Sequence, residues 1–322
     1  MSIMRRRGGT GFVGAVAISA TVGLGAVVVG LGWRPTPSTG AAVAEAPAPS
    51  EEYGRRLVTR TAELLGEDQA DPSRRYIKSR LNCASCHLSA GTEPGALTLL
   101  QTEEHYPRFS ARAGDMTEIE DRINECMQRS MNGAPLPMDS LEMKAMASYL
   151  RSLGAEYLAM GASSRTAKDP SPFKPPTRAA DLEHGRSVFG ARCATCHGVD
   201  GLGLLATGEK RQGYLFPPLW GPDSYNTGAG MHRVLTAARF VKARMPLGNP
   251  TLTDDEALDV AAFFNAQPRP EMPNLERDYP DKRTKPVDNP YGPYADEFPV
   301  AQHKFGPFKP IEEYYAALRK QP

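Results

Sequence analysis

Net charge is nearly absent from this chain: 38 lysines and arginines balance 37 aspartates and glutamates over 322 residues, which leaves a formal charge of +1. Nucleic-acid-binding proteins carry a basic patch or stripe, and this sequence has no basic stripe with interleaved aromatic residues. Nucleic acid is therefore not an expected partner. Long regular elements are also scarce, because 29 prolines and 30 glycines imply long loops and linkers.

Cysteine is scarce as well, with five residues in the whole chain. Four of them form two copies of the pattern Cys-x-x-Cys-His, with Cys83, Cys86 and His87 in the first copy and Cys193, Cys196 and His197 in the second. This spacing lets two thiols bond covalently to one haem while the imidazole ligates its iron. A zinc or redox site would not need a histidine after both copies. The sequence predicts two covalently bound haem c groups, no disulfide, and one leftover thiol.

A single long hydrophobic run lies near the N terminus. Three arginines at positions 5–7 precede 22 uncharged residues from Gly11 to Gly32. That run exceeds the roughly 7 to 15 residues of a cleaved signal core and approaches the roughly 20 that span a bilayer, whereas residues 42–44 (AVA) fit a cleavage site. Residues 1–44 are either a signal peptide or a membrane anchor. Both predict a periplasmic protein, soluble or tethered through residues 11–32.

The same order of elements surrounds both haem motifs. A helix precedes each motif, a loop and a ligand-bearing segment follow, and a helix closes the unit, as in small c-type cytochrome domains. We predict a mainly α fold with two such domains in tandem, long loops and a Pro- and aromatic-rich C-terminal arm packed across one or both domains. The expected boundaries are 51–165 for domain 1, 166–180 for a Pro-rich linker, 181–266 for domain 2 and 267–322 for the arm.

Local patterns predict where some helices begin. Residues 76–81 are expected to form a short helix before the first motif, and another helix is expected to begin near Met116. Two capping patterns mark the closing helices, a capping-box-like pair in domain 1 and a well-formed capping box in domain 2: Asp139 with Glu142, and Thr253 with Glu256.

The sixth ligand of the second iron must come from later in the chain than His197. Met245, which precedes a proline, lies between the loop and the closing helix, where c-type domains supply a methionine. A thioether ligand raises the haem potential, so this haem is expected to pass electrons out. The rival ligands are Met231, His232 and Lys242.

The sixth ligand of the first iron is open on the residues alone. Aligning the two closing helices with an offset of 114 residues places Met131 opposite Met245, and Cys126 is then a buried free thiol. Met138 and His105 are weaker candidates for the same position.

Arginines crowd around Cys126 in sequence and favour a different role for this thiol. A thiolate near several guanidiniums stays ionised and can bind ferric iron, and the same cations can hold a dianionic substrate. For Arg129 we prefer a solvated helix face paired with acidic residues. The other nearby arginines are Arg108, Arg112 and Arg122.

Residues 122–133 (RINECMQRSMNG) resemble the thiosulfate dehydrogenase family of dihaem c-type cytochromes. The resemblance extends from about residue 51 to residue 322. It includes both haem motifs and four further segments: Tyr106-Pro107-Arg108 with Arg112, residues 240–248 around Met245, residues 291–294, and residues 303–307.

The resemblance implies a ligand set and a substrate pocket. It implies that haem 1 carries His87 and Cys126 and is the catalytic site, that haem 2 carries His197 and Met245, and that the substrate pocket is lined by Arg112, Arg122 and Ser130. Relatives have lysine or asparagine before the haem 2 methionine, and this chain has Arg244. Arginine is always protonated, so a lysine-to-methionine ligand switch is not expected at that position.

The family reaction is the oxidation of two thiosulfates to tetrathionate, which some members run in reverse. The resemblance thus implies a thiosulfate dehydrogenase, with Cys126 as iron ligand and covalent sulfur carrier. A small cytochrome c or a high-potential iron–sulfur protein, soluble or membrane-bound, would accept the electrons. The alternatives are a dihaem electron shuttle without catalysis, a dihaem peroxidase, and a Sox-type haem protein that joins thiosulfate to a carrier protein.

Overall fold

Helices are the main regular structure of the chain. The structure, a computed structural model, describes residues 49–94, 97–160 and 172–319, and these contain ten α-helices and two short antiparallel sheets. The helices are α1 (Glu51–Thr59), α2 (Thr61–Leu65), α3 (Ile119–Arg129), α4 (Leu141–Ala159), α5 (Leu182–Arg192), α6 (Ala194–His197), α7 (Val234–Arg244), α8 (Asp254–Asn265), α9 (Val300–Phe305) and α10 (Lys309–Leu318). The strands are β1 (Arg108–Ser110) with β2 (Asp115–Thr117), and β3 (Leu204–Leu205) with β4 (Tyr214–Phe216).

Each half of the fold is built on one close helix pair. Gly54 of α1 lies against α4, where an added Cβ would come 2.1 Å from the carbonyl oxygen of Ala145. Gly185 of α5 lies against α8 in the same way, 2.1 Å from the carbonyl oxygen of Asp259. The two contacted residues, Ala145 and Asp259, are 114 residues apart, which is the offset that aligns the closing helices. Glycine therefore permits the same close crossing in both halves.

The predicted helix at residues 76–81 is wrong. Ile77 forms a parallel bridge with Gly66, and the Ser79 amide donates to the carbonyl of Met131 at 3.1 Å. The backbone amides of this extended segment donate to the carbonyls of Leu65 and Met131, so they are not available for the hydrogen bonds of a helical turn.

The helix that carries Cys126 begins later than expected. Residues near Met116 pair instead with β1, in the register Phe109 opposite Met116, and α3 starts at Ile119. The resulting hairpin holds the segment before α3 extended.

The two capping predictions differ in outcome. Thr253 and Glu256 form the predicted box, because the Thr253 Oγ1 accepts from the Glu256 amide at 3.1 Å and the Glu256 Oε2 accepts from the Thr253 amide at 2.8 Å. The pair at α4 is wrong. Ser140 caps that helix by accepting from the Met143 amide at 3.2 Å, and Glu142 accepts from the Tyr53 hydroxyl instead.

Two apolar cores lie in one compact unit, residues 46–322. The first core is formed mainly by α1, α3 and α4, and it also contains Tyr225 from the second half of the chain. The second is formed by α5, α7 and α8, and it also contains Phe308 from the C-terminal segment. Met231 packs against both cores. The two halves therefore share side chains instead of folding as separate bodies.

The C-terminal segment, described through residue 319, contacts both halves. Phe308 and Ile311 are 2% and 0% exposed, and Phe308 belongs to the second core. Asp278 of the same segment pairs with Arg129 at the end of α3. Arg129 is thus 8% exposed, and its interpretation as a solvated residue is wrong because this segment covers it.

Within the described ranges, no helix combines the length and the apolar character needed to cross a bilayer. The run at residues 11–32, the rest of the predicted signal or anchor and part of the predicted linker lie outside the described residues.

Candidate active site

The first Cys-x-x-Cys-His motif opens onto a cavity of about 410 Å³. The cavity lies between the motif, the end of α3 and the loop at residues 97–108. Its lining includes all three motif side chains together with Cys126, Met131 and the basic side chains of His105, Arg108 and Arg122. Its volume falls in the range of cofactor and ligand sites, about 300 to 1,000 Å³.

A backbone hydrogen bond orients the histidine of each motif. The Nδ1 of His87 bonds to the carbonyl of Leu97, and the Nδ1 of His197 bonds to the carbonyl of Pro217 at 2.7 Å. Burial also lowers the pKa of both histidines, so each ring is neutral at pH 7. With the proton held on Nδ1, each Nε2 keeps a free lone pair for an iron. This donor set fits a covalently attached haem at both motifs.

One face of α3 brings Arg122, Cys126 and Ser130 together. They are spaced four residues apart, which places them above one another on a helix, and all three line the first cavity. Attraction to Cys126 raises the pKa of Arg122 against the opposing effect of burial. Arg122 therefore places a positive charge beside the Cys126 sulfur.

Cys126 also lies close to the haem-attaching thiols. Burial, with a smaller contribution from the nearby Cys126, raises the pKa of Cys83 to about 11 and that of Cys86 to about 12. The sequence separates Cys126 from the motif by 40 residues, and the fold closes that gap. The leftover thiol is therefore part of the haem 1 cavity.

Glu125 joins the two predicted substrate arginines, and the sequence argument missed this role. Its Oε2 lies 2.8 Å from Arg122 Nη1 and 3.8 Å from Arg112 Nη1. Arg112 itself is not among the residues that line the cavity. It is connected to Arg122 through Glu125, and its side chain is 15% exposed. Spacing along α3 could have suggested the Arg122 pair, because the two residues are three apart.

The candidate ligands of the first iron differ in their positions. Met131 is 2% exposed and lines the same cavity as Cys126, so both residues are placed near the haem. His105 also lines the cavity, with its Nδ1 bonded to the carbonyl of Gln101. Met138 does not line it and is 52% exposed.

The second motif opens onto a cavity of about 310 Å³ that is lined by Cys193, Cys196, His197 and Met245. Of the rival ligands, only Met231 lines it as well. The Nζ of Lys242 donates to the carbonyl of Leu252 at 2.6 Å, and the Nδ1 of His232 bonds to the carbonyl of Thr227 at 2.9 Å. Both of these rivals are engaged away from the cavity.

Arg244, next to Met245, pairs with a residue of the first half. Its Nη1 lies 2.8 Å from Glu93 Oε1, in the loop after the first haem motif. The pair links the two ligand-bearing regions across the boundary between the halves.

The two cavities share part of their walls. Tyr225 and Met231 line both, as do Leu81, Asn82 and Cys86 from the first half. Tyr225 could not be predicted as a wall residue, since a single tyrosine in a loop has no periodic pattern. One layer of side chains therefore separates the two haem sites, which leaves a short path for electrons.

The two halves match two cytochrome c families. The family described as "SoxA/TsdA, cytochrome c domain" matches residues 74–157, and the family described as "Cytochrome C oxidase, cbb3-type, subunit III" matches residues 180–264. These matches confirm two cytochrome c domains in tandem. Each domain contains one attachment motif, so the chain carries two covalently bound haem c groups.

Curated relatives share one description. The thiosulfate dehydrogenase of Allochromatium vinosum is 39% identical over 67% of this chain and 77% of its own. That of Psychrobacter arcticus is 35% identical over 74% of this chain and 70% of its own.

A solved structure is also similar. The chain of the thiosulfate dehydrogenase TsdBA from Marichromatium purpuratum, in its as-isolated form, is 35% identical and superposes with a TM-score of 0.61. The match covers 75% of this chain and spans half the length of that solved chain.

Proposed function

Because the chain belongs to the thiosulfate dehydrogenase family of dihaem c-type cytochromes, we propose that it oxidises two thiosulfates to tetrathionate at haem 1 and passes the electrons out through haem 2. One observation carries the proposal. Cys126, Arg122 and Ser130 lie on one helix face and line the cavity of the first haem motif. A thiol, a guanidinium and a hydroxyl in one cavity can bind a small sulfur dianion.

The residues that would hold the haem irons are His87 and Cys126 for haem 1, and His197 and Met245 for haem 2. His87 and His197 are supported as ligands because the Nδ1 of each bonds to a backbone carbonyl, which leaves Nε2 available for the iron. The attraction between Arg122 and Cys126 supports a thiolate ligand. For haem 2, Met245 lines the cavity while Lys242 and His232 are bonded elsewhere.

Each haem iron accepts one electron, so two haems match the two electrons that two thiosulfates release when they join. In the proposed sequence, the Cys126 sulfur forms a bond to the sulfane sulfur of one thiosulfate, with loss of two electrons. A second thiosulfate then attacks that sulfane sulfur. Its attack forms the S–S bond of tetrathionate, breaks the bond to Cys126 and returns the thiolate.

The basic side chains and Ser130 hold the sulfonate groups during these steps. Arg122 can donate two parallel N–H bonds to sulfonate oxygens, and Ser130 can add an O–H bond. Arg112 supports this arrangement from outside the cavity, because it contacts Glu125, the carboxylate that pairs with Arg122, and adds a second positive charge nearby. Arg108 and His105 line the same cavity. Arg108 adds a positive charge, and His105 adds a ring nitrogen that can form a hydrogen bond.

A second candidate function rests on Met131. This residue is buried and lines the haem 1 cavity, so it could replace Cys126 as ligand and leave the protein an electron shuttle without catalysis. Low-temperature EPR of the oxidised protein separates the two. A thiolate ligand predicts that Cys126→Ala changes the haem 1 signal and that Met131→Leu leaves it intact; a methionine ligand predicts the opposite.

The proposed site of action is the periplasm, with export directed by residues 1–44 and a tether through residues 11–32 if that segment is retained. The proposed electron acceptor is a small cytochrome c or a high-potential iron–sulfur protein. Exposed Leu215 and Leu247 line the second cavity, at 59% and 62% exposure, and offer an apolar contact surface beside haem 2.

Steady-state turnover tests the proposal. With thiosulfate and an artificial one-electron acceptor, we expect two thiosulfates consumed for each tetrathionate formed, and the reverse reaction is measured with tetrathionate and a reductant. Haem-replete protein that turns over hydrogen peroxide but not thiosulfate would indicate a peroxidase. A requirement for a carrier protein would indicate Sox-type chemistry.

A further inference from the structure

Two adjacent residues of the C-terminal segment contact the catalytic half of the protein from outside both matched cytochrome domains. Asp278 accepts from Arg129 Nη2 at 2.7 Å through Oδ1 and from the Tyr291 hydroxyl at 2.7 Å through Oδ2. Tyr279 contacts Arg112 twice. Its amide donates to the Arg112 carbonyl at 2.9 Å, and its hydroxyl accepts from Arg112 Nε at 3.4 Å.

The backbone of Tyr279 is in an unusual conformation. Its φ is +56°, in the left-handed region that bulky side chains rarely occupy, and the residue is only 5% exposed. Such a conformation persists when surrounding contacts determine it. Here the amide bond to Arg112, the Asp278 pairs and burial of the ring supply those contacts.

These contacts act on the guanidinium of Arg112. The Tyr279 ring centroid lies 5.8 Å from Arg112 Cζ, so the ring and the hydroxyl approach one end of the side chain. Glu125 approaches the other end, 3.8 Å from Nη1. A free arginine side chain samples many rotamers, and holding it at both ends removes most of them. The guanidinium is thereby kept next to Glu125, which pairs with Arg122.

We propose that Tyr279 is a positioning residue that fixes Arg112 beside Glu125, so that Arg112 and Glu125 together hold the Arg122 guanidinium in place for thiosulfate in the haem 1 cavity. The proposal rests on the proposed function. It gives the C-terminal segment a part in substrate binding although that segment does not line the haem 1 cavity. A thiosulfate dianion is attracted most strongly by a cation held in a fixed place, and Arg122 is held through Glu125, which Arg112 contacts as well.

Tyr279→Phe tests this role, because it removes the hydroxyl and keeps the ring. We expect the KM for thiosulfate to rise about three- to ten-fold with little change in kcat, since the lost bond from the Arg112 guanidinium is long, at 3.4 Å, and the ring and amide contacts of Tyr279 remain. Both haem spectra should stay as in the wild type. In an Arg112→Met background, Tyr279→Phe should add no further change.

Tyr294→Phe is the matched control. It loses one hydroxyl bond in the same segment, from Tyr294 to the Asn289 carbonyl, without touching Arg112. We expect its KM to equal that of the wild type. An unchanged KM in Tyr279→Phe, an equal rise in the control, or additive effects with Arg112→Met would overturn the positioning role.

Binding to the fully reduced protein provides a readout besides activity, because reduced haems cannot accept electrons from thiosulfate. Calorimetric titration should show weaker thiosulfate binding in Tyr279→Phe by the same factor as the KM. A wild type that binds thiosulfate without oxidising it contradicts the proposed function and leaves the positioning role standing. A wild type that does neither contradicts both.

Discussion

The Nη2 of Arg129 lies 2.7 Å from the Oδ1 of Asp278, and both side chains are only 10% exposed. Arg129 ends the helix that carries Cys126, and Asp278 belongs to a segment 149 residues further along the chain. Arg129 Nη1 also donates to the carbonyl of Gly228, in the second half. A single guanidinium thus joins the helix that carries Cys126, the second cytochrome domain and the C-terminal segment.

We predict that Arg129→Met lowers the free energy of unfolding by about 3 kcal/mol, because it leaves the buried Asp278 carboxylate without its cationic partner and with only the Tyr291 hydroxyl as a donor. Chemical denaturation of the haem-loaded protein measures the change. Arg151→Met is the control, since Arg151 forms a pair with Glu120 on the surface, where its side chain is 48% exposed. A control that loses as much stability as Arg129→Met would contradict the account.

Acid should destabilise the second domain through Asp259. This carboxylate is fully buried, and its pKa is lowered because hydrogen bonds from Arg178 and His184 outweigh the opposing effect of burial. Because the pKa of Asp259 is lower in the folded protein, this carboxylate contributes its full stabilisation at pH values above its ordinary pKa of 3.8. That stabilisation is lost as the pH falls from 3.8 through the lower pKa of the folded state.

Asp259→Asn should remove this acid-dependent part of the stability and cost about 1–3 kcal/mol at pH 7, because Arg178, His184 and the Asp181 amide lose a buried acceptor, while Arg178 is 41% exposed and keeps Asp255. Asp255→Asn is the matched control, since Asp255 pairs with the same arginine but is 57% exposed. It should cost less than about 1 kcal/mol. Denaturation curves at pH 7 and at pH 3 decide between these outcomes; equal costs for the two variants would show that burial of Asp259 is irrelevant.

The electron acceptor should be sensitive to the rim of the second cavity. Leu215, which is 59% exposed in β4, lines that cavity, and a charge there would need to be desolvated when a partner docks. We predict that Leu215→Glu lowers kcat/KM for a protein acceptor about ten-fold, an effect of about 1.4 kcal/mol, without slowing haem reduction by thiosulfate.

Leu158→Glu serves as the comparison, because Leu158 is an exposed leucine on α4 that lines neither cavity. Stopped-flow reduction of a small cytochrome c by each variant gives the rates. If both variants slow the transfer alike, the acceptor does not dock at this rim.

Local patterns were sufficient for the features that depend on neighbours in sequence. The two haem motifs and the capping box at Thr253 follow from spacings of five residues or fewer, whereas Arg122 and Ser130 were assigned to the pocket only through the family resemblance. The failed helix at residues 76–81 shows the limit of such patterns. Its backbone groups bond to Leu65 and Met131, and no local propensity encodes those partners.

The contacts of the C-terminal segment could not be predicted for a similar reason. Tyr279 and Arg112 are 167 residues apart, and neither has a periodic or paired signal in the sequence. A buried ion pair between distant residues requires the whole fold to bring it together. Arg129 looked like a surface residue because its helix neighbours are charged, and only the folded chain covers it.

Anaerobic single turnover tests the central claim, that thiosulfate is oxidised at Cys126. Fully oxidised protein is mixed with thiosulfate, haem reduction is followed by absorbance, and tetrathionate is counted. The account predicts that both haems are reduced and one tetrathionate forms per protein molecule, and that Cys126→Ala slows this reduction at least about a thousand-fold. Reduction of Cys126→Ala at the wild-type rate, or a wild type that thiosulfate does not reduce, would contradict it.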